Sequence, residues 1–204
     1  MQHDNRQLAK HLVLAVIFLI VAVWLNYIST LYVDSLPKQE PVLDLMHSIF
    51  TFNQAYSIIS EIFLVLAVLV FLWYIASRKD FESLPFYLTC IATFYLVRAL
   101  ILPLTPLQDP YPADHLFGIL SWLLPNGGTF PSGHTGLVFM MLWLVKSEDK
   151  AYKYIMLALS ILMAFFMIIS RGHYTIDVIG SIFITYTIYH VADRIRNSSK
   201  ENAN

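Results

Sequence analysis

Charge is scarce in this chain. Only 13% of the 204 residues are Asp, Glu, Lys or Arg, while 57% are hydrophobic, and the mean hydropathy is +0.61. A soluble domain carries about twice that charged share, so a bilayer is the expected solvent. A basic excess is missing as well: the net charge is −1, which argues against nucleic-acid partners. The single cysteine, Cys90, lies inside an apolar run and excludes an intramolecular disulfide. No repeat, low-complexity stretch or sizeable soluble domain breaks the chain. A single integral membrane domain over 1–204 is expected, with its core over 12–193, a short N-terminal stretch 1–11 and a tail 194–204.

What is present is a series of six apolar segments: Leu12–Val33, Ala55–Ala76, Leu84–Leu102, Pro131–Val145, Ala151–Ile169 and Tyr174–Val191. A spanning helix needs roughly 20 such residues, and the fourth segment, at 15, is short. Its polar outer end must face protein or trapped water rather than lipid. The first segment follows Arg6 and Lys10 like a secretory signal, but no small-x-small cleavage pattern follows Leu25, and an uncleaved anchor is expected. The fold class is therefore all-α and polytopic, with six transmembrane helices in a bundle.

Orientation follows from lysine and arginine. With both termini cytoplasmic, 10 of the 13 basic residues lie inside, leaving Lys38, Arg98 and Arg171 at or near the outer surface. The 27-residue loop Pro103–Thr129 holds neither lysine nor arginine. Asn197-Ser198-Ser199 has a glycosylation pattern but falls on the cytoplasmic tail in this N-in, C-in threading. The same threading gathers Arg98, Ser132-Gly133-His134, Arg171, His173 and Asp177 at one non-cytoplasmic membrane depth.

These residue types suit phosphoryl transfer. His173 and Asp177 are four apart, on one face of a helix. The carboxylate can take the imidazole Nδ1–H and leave Nε2 as a nucleophile. An intramembrane Asp is costly without such a partner. His134 stands at a helix start, where unsatisfied N–H groups attract anions, and is placed to protonate a departing oxygen. Gly133 permits close backbone approach. Ser132 either bonds a phosphate oxygen or caps its helix. Arg98 and Arg171 are candidate phosphate clamps, with snorkelling to headgroups as the alternative for Arg98. Glu61 is a possible supporting acid that orients His134, holds a hydroxyl or pairs with Arg98. His47, Asp109, Asp114 and His115 are expected as solvated surface groups, and Lys146–Lys150 as a solvated turn. No metal-ligand cluster and no cofactor is implied.

Pro131-Ser132-Gly133-His134 followed by His173-x-x-x-Asp177 resembles the type-2 phosphatidic acid phosphatase superfamily, six-helix enzymes with a phosphohistidine intermediate. Ser132-Gly133-His134-Thr135 and His173-Tyr174-Thr175-Ile176-Asp177-Val178 are closest to its sphingomyelin synthase branch. Weaker echoes are Arg98 with the Leu-Pro-Leu-Thr-Pro run after it, and Glu40-Pro41-Val42-Leu43-Asp44. The resemblance implies His173 as nucleophile, Asp177 as its orienting partner and His134 as general acid. The phosphatase branch has a Lys followed six residues on by Arg-Pro, which this chain lacks, and it spaces its Ser-Arg further from the second histidine. Pro131 is a phosphatase habit.

The expectation is a lipid phosphotransferase moving a phospho-headgroup from a phospholipid donor to a lipid acceptor such as ceramide or diacylglycerol. Two alternatives stand beside it. One is a lipid phosphate phosphatase using water; the other is a non-catalytic lipid-binding or transport protein.

Overall fold

A computed structural model of the protein describes residues 2–37, 40–108, 110 and 128–201. Lys38, Asp109, Asp114, His115 and most of the Pro103–Thr129 loop lie outside the described residues. Among the described residues there is no strand. Seven α-helices follow one another: α1 Gln2–Asp34, α2 Leu45–Ile49, α3 Gln54–Arg78, α4 Leu84–Ile101, α5 Gly133–Leu144, α6 Lys150–Ile169 and α7 Thr175–Glu201. A short 3-10 turn, Phe81–Ser83, leads into α4. Hydrocarbon offers no hydrogen bonds, so apolar runs of this length satisfy their backbone internally as helices. Five of the seven (α1, α3, α4, α6 and α7) are long and apolar enough to cross a membrane by length and composition.

The helix limits have local causes. Asn53 caps α3 by accepting the Ala55 N–H at 2.9 Å. The same helix ends where Lys79 turns left-handed, with φ 52°, and Asp80 N–H returns to the Ile75 carbonyl. Pro85, which has no N–H to lose, stands in the first turn of α4.

α1 lies along α4, α3 along α6, and α5 is enclosed by α4, α6 and α7. The short fourth segment is thus sheltered by protein: Thr135, Val138 and Met140 on α5 are wholly buried. Gly136 is required for this closeness, because a Cβ there would land inside the Phe94 ring of α4. α1 is the opposite case, with Leu14, Ile17, Ile20 and Trp24 exposed along its length.

The Lys146–Lys150 turn is largely exposed, as its composition implies, with Asp149 alone buried. Lys146 Nζ pairs with Asp80 at 2.9 Å, its N–H donates to the Tyr74 hydroxyl, and the buried Asp149 pairs with Arg78. In a chain with so few charges, those at a bundle end find one another.

Candidate active site

At the other end of the bundle the chain reverses between α6 and α7 in five residues. Ser170 closes α6, Arg171 adopts a left-handed backbone with φ 57°, and His173-Tyr174 leads into α7. A left-handed non-glycine residue is uncommon and calls for outside support. The N-cap position of α7 belongs to Tyr174, whose ring cannot cap. Asp177 reaches back instead and accepts the Tyr174 N–H at 2.8 Å, half of a capping box. The same Asp177 Oδ2 lies 3.4 Å from His173 Nδ1. A proton on Nδ1 then leaves the Nε2 lone pair available. Asp177 is 0% exposed and His173 7%. Asp177 Oδ1 is buried and has no hydrogen-bond partner.

His134 sits in the first turn of α5, and that turn is stitched to α7. Ser132 N–H donates to the Asp177 carbonyl at 3.1 Å, and the Ser181 hydroxyl donates to the Ser132 carbonyl at 2.8 Å. The Ser132 side chain accepts the Thr135 N–H at 3.3 Å and is wholly buried. Of its two expected roles, the geometry displays the cap. The result is that the His134 and His173 rings lie with centroids 6.4 Å apart, inclined at 63°. Asp177 ties both together, its carboxylate serving His173 and its carbonyl serving the start of α5.

The two arginines differ. Arg98 is buried on α4 and donates to the Pro131 carbonyl at 2.7 Å, the Gly128 carbonyl at 2.9 Å and Asn26 Oδ1 on α1 at 2.7 Å. It braces the segment that leads into α5 and lies beneath Gly133, where a Cβ would meet its Nε at 3.4 Å. Arg171 donates one N–H to the His47 carbonyl at 2.9 Å, while its buried Nε has no partner. Glu61 is half-buried on α3, in the helix half that packs on α6 through Tyr56 and Phe63 against Phe166.

His47, expected as a solvated surface group, is half-buried instead. Its Nε2 donates to the His173 carbonyl at 3.2 Å. Asp44, at the N-cap of α2, accepts the Thr175 N–H at 2.7 Å and the Thr175 hydroxyl at 2.9 Å. Burial pushes the Asp44 carboxyl up, but hydrogen bonds from the Thr175 N–H and hydroxyl, nearby His47 and the Met46 N–H outweigh it, and the group lies below the ordinary carboxylate range. The signals for these supports were slight: Glu40-Pro41-Val42-Leu43-Asp44 as a weak echo of the family resemblance, and an acid ending its apolar stretch. Among the described residues no three His, Cys, Asp or Glu side chains gather as a metal site.

A histidine pair, one member backed by a buried carboxylate and set at a helix N-terminus, brings a candidate nucleophile and a candidate general acid together. Residues 129–194, about a third of the chain, match the family model described as PAP2 superfamily C-terminal. The matched stretch holds Ser132, Gly133, His134, Arg171, His173 and Asp177, and the match supports a phosphatase or phosphotransferase enzyme. No curated protein matches the chain.

Proposed function

We propose that this protein is a membrane-embedded, sphingomyelin synthase-like phosphotransferase that moves a phospho-headgroup from a phospholipid to a lipid hydroxyl. The observation that carries the proposal is the 6.4 Å juxtaposition of His134 with a His173 backed by Asp177. His173 Nε2 attacks the donor phosphorus, the bond from phosphorus to the diacylglycerol oxygen breaks, and His134 gives that oxygen its proton. The resulting phosphohistidine is attacked by the acceptor hydroxyl, which loses its proton to His134; the N–P bond breaks and both histidines return to their starting forms. Asp177 steadies the positive charge that His173 carries between the steps.

Arg171, with its unpartnered Nε, binds a phosphoryl oxygen. Arg98 adds positive charge beneath Gly133, reinforcing the anion preference of the α5 N-terminus, and Ser132 holds that terminus in shape. Glu61 is the supporting acid from α3. The distribution of 10 of 13 basic residues supports six spans with both termini cytoplasmic and the histidines on the non-cytoplasmic face.

With water in place of the acceptor, the same intermediate yields a lipid phosphate phosphatase, which Pro131 before Ser132 favours. The deciding experiment uses purified protein in vesicles of phosphatidylcholine labelled in its phosphocholine, with and without ceramide or a diacylglycerol whose acyl chains differ from the donor's, and a parallel set holding labelled phosphatidic acid. Label on the acceptor lipid, lost in His173→Ala, is the expected result. Free phosphate from phosphatidic acid, with no labelled acceptor, assigns hydrolysis instead. Full turnover in His173→Ala overturns the site altogether.

A further inference from the structure

The segment that carries the nucleophile is held from outside. Residues 42–47 grip four of the five consecutive residues from Arg171 to Thr175. The Val42 N–H donates to the Tyr174 hydroxyl at 3.1 Å, Arg171 donates to the His47 carbonyl, and His47 Nε2 donates to the His173 carbonyl. Asp44 takes both the N–H and the hydroxyl of Thr175, the first residue of α7. The same carboxylate accepts the Met46 N–H at 2.9 Å and so closes α2 as well.

We propose that this strap, acting chiefly through Asp44, is the positioning device of the nucleophile: Asp44 supplies in trans the cap that α7 lacks and thereby sets the aim of His173. The proposal rests on the phosphohistidine reading above. Three observations support it. Tyr174 occupies a position where Ser, Thr, Asp or Asn ordinarily satisfies the first N–H groups of a helix, so the Thr175 N–H depends on a residue 131 positions away. A negative charge is favourable at a helix N-terminus. The direct contact between His173 and Asp177 is long, at 3.4 Å, so the direction of the imidazole rests heavily on the backbone on either side of it. That backbone includes the left-handed Arg171, which the strap also holds.

Misplacement of a reacting group by about 1 Å costs on the order of a hundredfold in rate. Asp44→Ala is therefore expected to lower kcat on labelled phosphatidylcholine or phosphatidic acid vesicles by about tenfold to a hundredfold. KM is expected to change by a smaller factor than kcat, because Asp44 bonds to Thr175 and Met46 and not to Arg171. Asp44→Asn, which keeps one acceptor oxygen, falls between. Amide hydrogen exchange over residues 172–177 is expected to quicken in Asp44→Ala. Thr175→Val reproduces part of the kcat loss, and Thr175→Ser, which restores the hydroxyl, recovers it; this pair decides the matter if Asp44→Ala does not fold. A kcat near native in both Asp44→Ala and Thr175→Val, a loss carried wholly in KM, or unchanged exchange overturns the proposal. Turnover abolished by His173→Ala yet indifferent to Asp44→Ala sinks the strap alone, whereas turnover that survives His173→Ala sinks the phosphohistidine reading beneath it.

Discussion

The two ends of the bundle use polar residues in opposite ways. At the end where α3 meets α4 and α5 meets α6, polar groups answer one another. Asp80 accepts from the Tyr87 hydroxyl at 2.6 Å, Ser83 at 2.8 Å and Lys146 at 2.9 Å, while Arg78 pairs with Asp149. Lys153 Nζ donates to the Leu142 and Val145 carbonyls at 2.7 and 2.9 Å, closing the C-terminus of α5. At the histidine end, Asp177 Oδ1 and Arg171 Nε are buried without partners. The third such atom, Arg196 Nε, belongs to a guanidinium stacked 4.1 Å over the Phe86 ring. Buried polar groups are costly unless paired. The histidine end leaves unpaired polar atoms in the company of titratable side chains, whereas the other end, Arg196 Nε apart, pairs its own.

That division can be broken or sharpened. The largest effect belongs to His173→Ala, expected to cut phosphoryl transfer by on the order of 10⁴-fold or more, with His134→Ala losing about 10²- to 10⁴-fold; initial rates on labelled lipid vesicles read both. At the satisfied end, Tyr87→Phe is expected to lower unfolding free energy by about 1–3 kcal/mol by orphaning one Asp80 contact, while turnover of the folded protein stays near native. An equal loss of turnover there would erase the distinction. Gly136→Leu, between the two ends, forces a side chain into Phe94 and is expected to cost about 1–3 kcal/mol or more, seen as a lowered thermal midpoint in detergent.

The smallest effect is in pH. Asp80 is pushed up by burial but held lower on balance by Tyr87, Lys146 and Ser83. Its stabilisation is therefore full above the ordinary carboxylate range and lost as pH falls through its lowered value. Lys146 is raised, chiefly by its hydrogen bond to Asp80 and against the opposing effect of burial. Its share is full below its ordinary pKa of 10.5 and lost as pH climbs past the raised value. Denaturation midpoints should thus be level for this pair through neutral pH and fall only at the extremes. Asp44, also lowered, should add to the acid-side loss.

What was legible beforehand was what depends on short spacing. His173 and Asp177 are four apart, and helix geometry alone puts them together. The six apolar segments became α1, α3, α4, α5, α6 and α7 with limits shifted by a few residues at most sites, although α1 and α7 run on by about three turns into polar flanks. The brevity of the fourth segment correctly implied protein shelter for α5. What was not legible depends on distant backbone. Arg98 meets carbonyls about thirty residues away, and Asp44 meets Thr175 across 131; neither leaves a periodic trace. His47 and Asp149 are the exceptions to an expected solvated surface, because composition cannot tell a polar residue facing water from one facing another part of the chain.

The shortness of α5 has a consequence for His134. Its 12 residues make a rod about 18 Å long, roughly 12 Å short of a typical hydrocarbon core. A helix this short is surrounded by its neighbours: α4, α6 and α7 pack around it, so the place of His134 is fixed by protein packing at both ends of α5 rather than by contact with lipid.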